Sequence, residues 1–239
     1  MDSAPLAIVW PCRLSVEEYA AAGRRIVVPV QVCPRCGMRL GAWSGYARWL
    51  RDDGEYRIWV RRGRCPACRL THALLPDFVH ARRLDAVEVI GAALELGIAG
   101  LGMRAVAIRL GLAHSTARDW RRRHRARAPA HLAHLAAVAV SLGAELRDLP
   151  MGVEAAALHA LGAISAEARR RFGGRVPGLW RLWNAICGGW ALGTNTGPPL
   201  AGASVRASMG DPPHEVSDAA RSRRGDRPVP VPRRRRSDQ

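Results

Sequence analysis

Apolar positions along the chain follow two different periods. Up to about residue 80 they come in short runs broken by Gly, Pro and charged pairs, and beyond it they recur every three or four residues. In the first stretch, Ser15-Val16-Glu17-Glu18 has the spacing of a capping box and predicts a short helix ending near Gly23. The β-branched run Ile26–Val32 predicts a strand, which Pro29 confines to a sheet edge. Tyr46–Leu50 and Tyr56–Val60 predict two further strands, and Asp52-Asp53-Gly54 between them predicts a hairpin turn.

The second stretch reads as helix. Asp85-Ala86-Val87-Glu88 has capping-box spacing and predicts a helix running to about Gly97. Leu132, Leu135, Val138, Leu142, Leu146 and Leu149 form one apolar stripe, and Val153, Ala157, Leu161, Ile164, Ala168 and Phe172 a second. Trp180, Trp183, Cys187 and Trp190 form a third. These faces are expected to pack within the chain; a homodimer interface is the alternative. His131, His134 and His159 lack a paired ligand spacing and read as surface or internally satisfied residues.

The fold class expected is α+β. A ribbon domain with short antiparallel strands and a short N-terminal helix takes residues 1–80, and a helix-turn-helix domain takes 81–127. C-terminal helices follow over 128–195, and a disordered Pro/Arg-rich tail over 196–239. The tail carries Pro228-Val229-Pro230-Val231-Pro232 and Arg233–Arg236, too polar to bury a core.

Composition narrows the class. The chain has 239 residues, 48% of them hydrophobic, and a formal charge of +17. All 37 basic residues are Arg, the mark of a GC-rich coding bias, so the Arg count by itself says little. The net charge says more, since the same bias would also supply acids, and it favours a polyanionic partner. The N-terminus lacks a basic segment leading into a long apolar run, and no uncharged apolar stretch approaches the ~18 residues of a membrane span. A cytoplasmic protein with no membrane partner is expected.

Cysteine spacing is the strongest chemical signal. Cys33-Pro34-Arg35-Cys36 and Cys65-Pro66-Ala67-Cys68 are two CxxC pairs with 28 residues between them, bracketing the expected hairpin. Each tight turn aims two thiolates at one ion, and two such turns close a tetrahedron, so Cys33, Cys36, Cys65 and Cys68 are expected to hold one structural Zn²⁺. Gly37 stands where such a turn needs positive φ. His72, four residues past Cys68, is a competing ligand. Cys12 and Cys187 read as lone buried thiols.

Met103–Trp120 has the internal logic of a helix-turn-helix. Ala107 is small where two helices would cross, Gly111 suits a left-handed helix end, and Leu110, Leu112, Ala117 and Trp120 supply packing positions. The second helix would expose His114, Ser115, Thr116, Arg118, Arg121 and Arg122 toward double-stranded DNA. Residues 101–127 hold eight Arg and one acid. Ala113 stands at the expected N-cap, where Ser, Thr, Asp or Asn is usual.

A CPxCG turn (Cys33–Gly37), a basic strand running into CPxC (Arg61–Cys68), the segment Thr71–Pro76 and a helix-turn-helix ending in Trp-Arg-Arg-Arg (Arg104–Arg123) together resemble the N-terminal parts of bacterial insertion-sequence transposases. They are still more similar to a small uncharacterised bacterial family often found beside such elements, whose later stretch resembles Trp183–Thr194. The resemblance implies DNA binding and, for a partner, a separate transposase subunit.

No catalytic constellation accompanies it. After the helix-turn-helix the acids before the tail are Glu145, Asp148, Glu154 and Glu167, set in helical periodicity rather than on a mixed α/β core. No nucleophile elbow, P-loop or HExxH motif is present. The expected function is therefore non-enzymatic: sequence-specific DNA binding, as a transposition accessory or a transcription regulator. A zinc-ribbon adaptor that binds another protein, with a nonspecific basic surface, is the competing class.

Overall fold

A computed structural model describes residues 7–193. The N-terminal Met1–Leu6 and the expected tail lie outside these residues. The described chain is α+β, with a four-stranded sheet and six α-helices sharing one continuous core.

The chain opens with β1 (Ala7–Trp10) and α1 (Val16–Ala22), which Ser15 and Glu18 cap reciprocally as their spacing requires. A short 3₁₀ turn, Gly23–Arg25, follows. Ile26–Val32 does not form the expected edge strand: only Val32 pairs, in an isolated bridge to Arg39. Ile26 is buried and Val28 packs on the core, but Val27, Val30 and Val32 are exposed and no neighbouring strand takes up the run's backbone, so β propensity alone does not make a strand. The two other expected strands form and are longer than their apolar runs, β2 spanning Gly41–Arg51 and β3 Glu55–Arg64. Asp52-Asp53-Gly54 closes the hairpin, and a bulge interrupts its ladder between Ala42 and Ser44. β4 (Thr71–Pro76) pairs antiparallel with β3 and parallel with β1, giving the order β1-β4-β3-β2.

Helices α2 (Val87–Ile98), α3 (Met103–Arg109), α4 (His114–Leu142), α5 (Val153–Phe172) and α6 (Leu179–Ile186) complete the chain. Asp85 does not cap α2. The N-cap is Ala86, without a side-chain hydrogen bond, because the Asp85 carboxylate is buried against Arg51 at 3.0 Å. α4 runs without a break through the 127/128 division expected between domains, Pro129 included. Leu146 and Leu149 fall in the loop before α5, outside any helical stripe. The third stripe packs inward: Trp180, Trp183, Cys187 and Trp190 are all buried, with Trp180 and Trp183 edge to face at 5.3 Å.

The segment after α6 straps the core. Asn184 donates to the carbonyls of Asp77 and Val79, and the Ala81 amide donates to Gly189. The Leu192 amide donates to His80 Nε2 at 3.0 Å. The C-terminal helices thereby close over the loop between β4 and α2, so the ribbon region and the helices form one packed body.

Candidate metal centre and basic helix pair

Two matching turns build the cysteine cluster. In the first, the Cys33 amide donates to the Met38 carbonyl and the Gly37 amide to the Cys33 carbonyl, both at 2.8 Å. In the second, the Cys65 amide donates to Leu70 at 2.8 Å and the Arg69 amide to Cys65 at 3.1 Å. The residue after each second cysteine is left-handed, Gly37 at φ +72° and Arg69 at φ +62°. The first turn leads into β2 and the second follows β3, so the antiparallel hairpin itself brings the two pairs together.

The four Sγ atoms lie within 4.8 Å of one another. Cys33–Cys68 are 3.5 Å apart, Cys36–Cys65 3.4 Å and Cys36–Cys68 4.0 Å. A tetrahedral site with metal–sulfur bonds of about 2.3 Å requires sulfurs roughly 3.8 Å apart, so the donor set fits one metal ion. The Cys68 amide donates to Cys65 Sγ and holds that thiol down to about 6, favouring the thiolate a metal needs. His72, buried on β4, places Nε2 3.6 Å from Cys33 Sγ. It touches the cluster from outside the four-sulfur group. Cys12 and Cys187 are buried elsewhere, each pushed up by burial, to about 11 and about 12.

The helix pair α3–α4 lies further along the chain. Leu110–Ala113 joins the helices, with Gly111 left-handed at φ +62° and the Leu112 amide donating to Ala107. Val106, Ala107, Ala117 and Trp120 are buried between the helices and α2. Ala113 is the N-cap of α4 and supplies no side-chain bond; neither Ser115 nor Thr116 takes its place.

His114, Ser115 and Arg118 are exposed on the first turns of α4, and Thr116 is half-buried. Arg121 is not on that face. Its side chain is 15% exposed and pairs with Glu154 of α5 at 3.0 Å. Arg122 is exposed but tied to Asp119 at 2.9 Å, a carboxylate shared with Arg123. Arg125 and His124 also meet Glu154. Half of the arginines in 101–127 are thus engaged by two acids. Among the described residues, Arg104, Arg109 and Arg118 are exposed with no carboxylate partner. Arg104 and Arg109 lie outside the DNA-facing set expected from sequence, near the two ends of α3; Glu154, distant in sequence, gave no signal of its partners.

The chain's likeness to known proteins begins at the first cysteine of the cluster. Residues 33–103 match the family model of a domain of unknown function, DUF6431. The matched span holds both turns, the hairpin, β4 and α2, and stops at the first residue of α3. Neither a search of curated proteins nor one of solved structures gives a match.

Proposed function

We propose that this chain is a sequence-specific DNA-binding protein, reading duplex DNA with the α3–α4 pair as a helix-turn-helix and using a structural Zn²⁺ to hold the ribbon from which its sheet grows. The reading is non-enzymatic, and its biological setting is transposition or transcription control. The observation that carries it is the start of α4. His114, Ser115 and Arg118 face solvent on a helix that Ala117 and Trp120 fix from behind, with the unpaired Arg104 and Arg109 on the preceding helix. An α-helix so presented fits the major groove, where an arginine can make a bidentate contact to guanine.

Arg118→Ala is expected to relax preference at one base step by roughly 1–3 kcal/mol, read by anisotropy against a set of single-base variants of a selected site. Arg121→Ala should leave base preference alone and cost stability instead. Equal weakening of Arg118→Ala on all sequences would reassign Arg118 to phosphate contact. The absence of any salt-dependent duplex binding would remove the reading altogether and favour the adaptor alternative. That alternative draws support from the exposed Val27, Val30 and Met38 near the first cysteine turn.

The metal has its own test. Zinc suits four thiolates because it accepts tetrahedral sulfur coordination without redox chemistry, and a closed four-sulfur site leaves no position for catalytic water. Purified protein should contain about one zinc per chain. Chelation should lower the melting temperature of the whole body, since sheet and helices share one core. Metal-free protein with an unchanged melting curve would refute a structural role.

A further inference from the structure

On the β2–β3 hairpin, the register opposes Gly45 to Arg61, Ala47 to Trp59 and Trp49 to Arg57. Alternation puts these six side-chain positions on one face. The face is aromatic and basic over a floor of the two smallest residues. Gly45 is required there, because a Cβ would sit 2.5 Å from Nε1 of Trp59, whose indole crosses above it. Trp49 is 53% exposed, and Ala47 beside it is open to solvent. Arg24, carried over from the 3₁₀ turn after α1, stacks on Trp59 with its guanidinium 4.5 Å from the ring centroid. Arg57 stands 6.0 Å from the ring of Trp49. Gly23, Arg24, Ala47, Arg57, Ile58 and Trp59 line a shallow hollow of about 310 Å³, at the lower end of ligand-sized cavities.

We infer that this face of the hairpin is a base-stacking site for an unpaired nucleic-acid strand, with the exposed Trp49 as the stacking surface, Trp59 under its Arg24 cover as the wall of the adjoining hollow, and Arg24 and Arg57 as the phosphate contacts. Three features select that occupant. The exposed Trp49 indole calls for a flat π-partner, since leaving it in water is unfavourable. Among the described residues, Arg24 and Arg57 have no carboxylate partner, whereas most arginines of α4 do, so their charge remains available to an anion. Glu55 is the one acid in β2 and β3, and it sits at the hairpin tip. A ligand that joins accessible ring faces to a regular row of negative charges is a single strand. A duplex buries its base faces and would meet this surface only through phosphate.

The inference does not depend on how α4 is used. The test uses the full chain with labelled 12-residue oligo-dT, oligo-rU and a 12-base-pair duplex, followed by anisotropy at fixed salt. Trp49→Ala should weaken both single strands about tenfold, and Trp49→Phe should recover most of the loss. Ala47→Glu, which fills the hollow and adds a negative charge, should weaken them at least as much. Both side chains are solvent-exposed, so melting temperatures should hold. Duplex binding should be unchanged by these variants, and Arg118→Ala should spare the single strands. The inference is overturned if the full chain binds neither oligonucleotide. It is overturned equally if both variants bind single strands like the parent, as a protein-docking face would, or if single-strand and duplex affinity fall together.

Discussion

Arg69 occupies the place in the second cysteine turn that Gly37 fills in the first. Both are left-handed, but only glycine adopts that conformation without a clash between Cβ and the backbone. Arg69 is exposed, and no ion pair compensates it among the described residues. Arg69→Gly is therefore expected to raise stability by about 0.5–1 kcal/mol, the strain relieved exceeding the freedom glycine adds to the unfolded chain. Gly37→Ala should do the reverse by a similar amount. Thermal melting of the metal-loaded protein reads both. A destabilised Arg69→Gly would show that the arginine has a role the backbone angle does not explain.

At the scale of elements, helix propensity and packing make opposite demands on Gly91. It lies in the interior of α2, where alanine would ordinarily gain up to about 1 kcal/mol. Here the indole of Trp180 rests on the helix backbone, and a Cβ would fall 2.1 Å from its ring. Gly91→Ala should force Trp180 off its site and break its hydrogen bond to Glu95, costing about 1–3 kcal/mol in a denaturant titration. What the sequence made legible here was local: the capping box at Ser15, the hairpin around Asp52-Asp53-Gly54, the paired cysteines, the left-handed Gly37 and Gly111, and the buried face of Trp180 and Trp183. What it concealed was decided by partners far along the chain. Asp85 has cap spacing, but its carboxylate goes to Arg51. Arg121 has the spacing of the exposed face, but Glu154 draws it inward. Ile26–Val32 has β propensity, but past the bridge at Val32 no strand pairs with it. The aromatic face of the hairpin was present as alternating Trp and Arg in β2 and β3, and its meaning depended on the cross-strand register.

Across the whole molecule, the strap after α6 depends on a neutral histidine. His80 is fully buried; Nδ1 lies 2.9 Å from the Ala81 carbonyl, and Nε2 accepts from the Leu192 amide. That pairing requires a proton on Nδ1 and none on Nε2, and burial holds His80 down to about 4. Its contribution is thus fully present above the unfolded value near 6.5 and is lost as pH falls toward 4, on the order of 3 kcal/mol in all. Asp77, on the same loop, works in the other direction. Burial pushes its carboxyl up to about 7 despite Arg181 at 3.7 Å, so its contribution is present at low pH and is lost as pH rises through 7. Between pH 7 and 4 the two effects oppose each other, and Asp77→Asn should uncover the histidine. Global melting would mix this effect with protons competing for the cysteine thiolates, so the readout is amide exchange at Leu192, corrected for its intrinsic pH dependence. In Asp77→Asn, protection there should fall steeply from pH 7 to 4, and a further His80→Gln substitution should flatten the profile. An Asp77→Asn profile as shallow as the parent's would mean that the bond between Leu192 and His80 does not hold the strap.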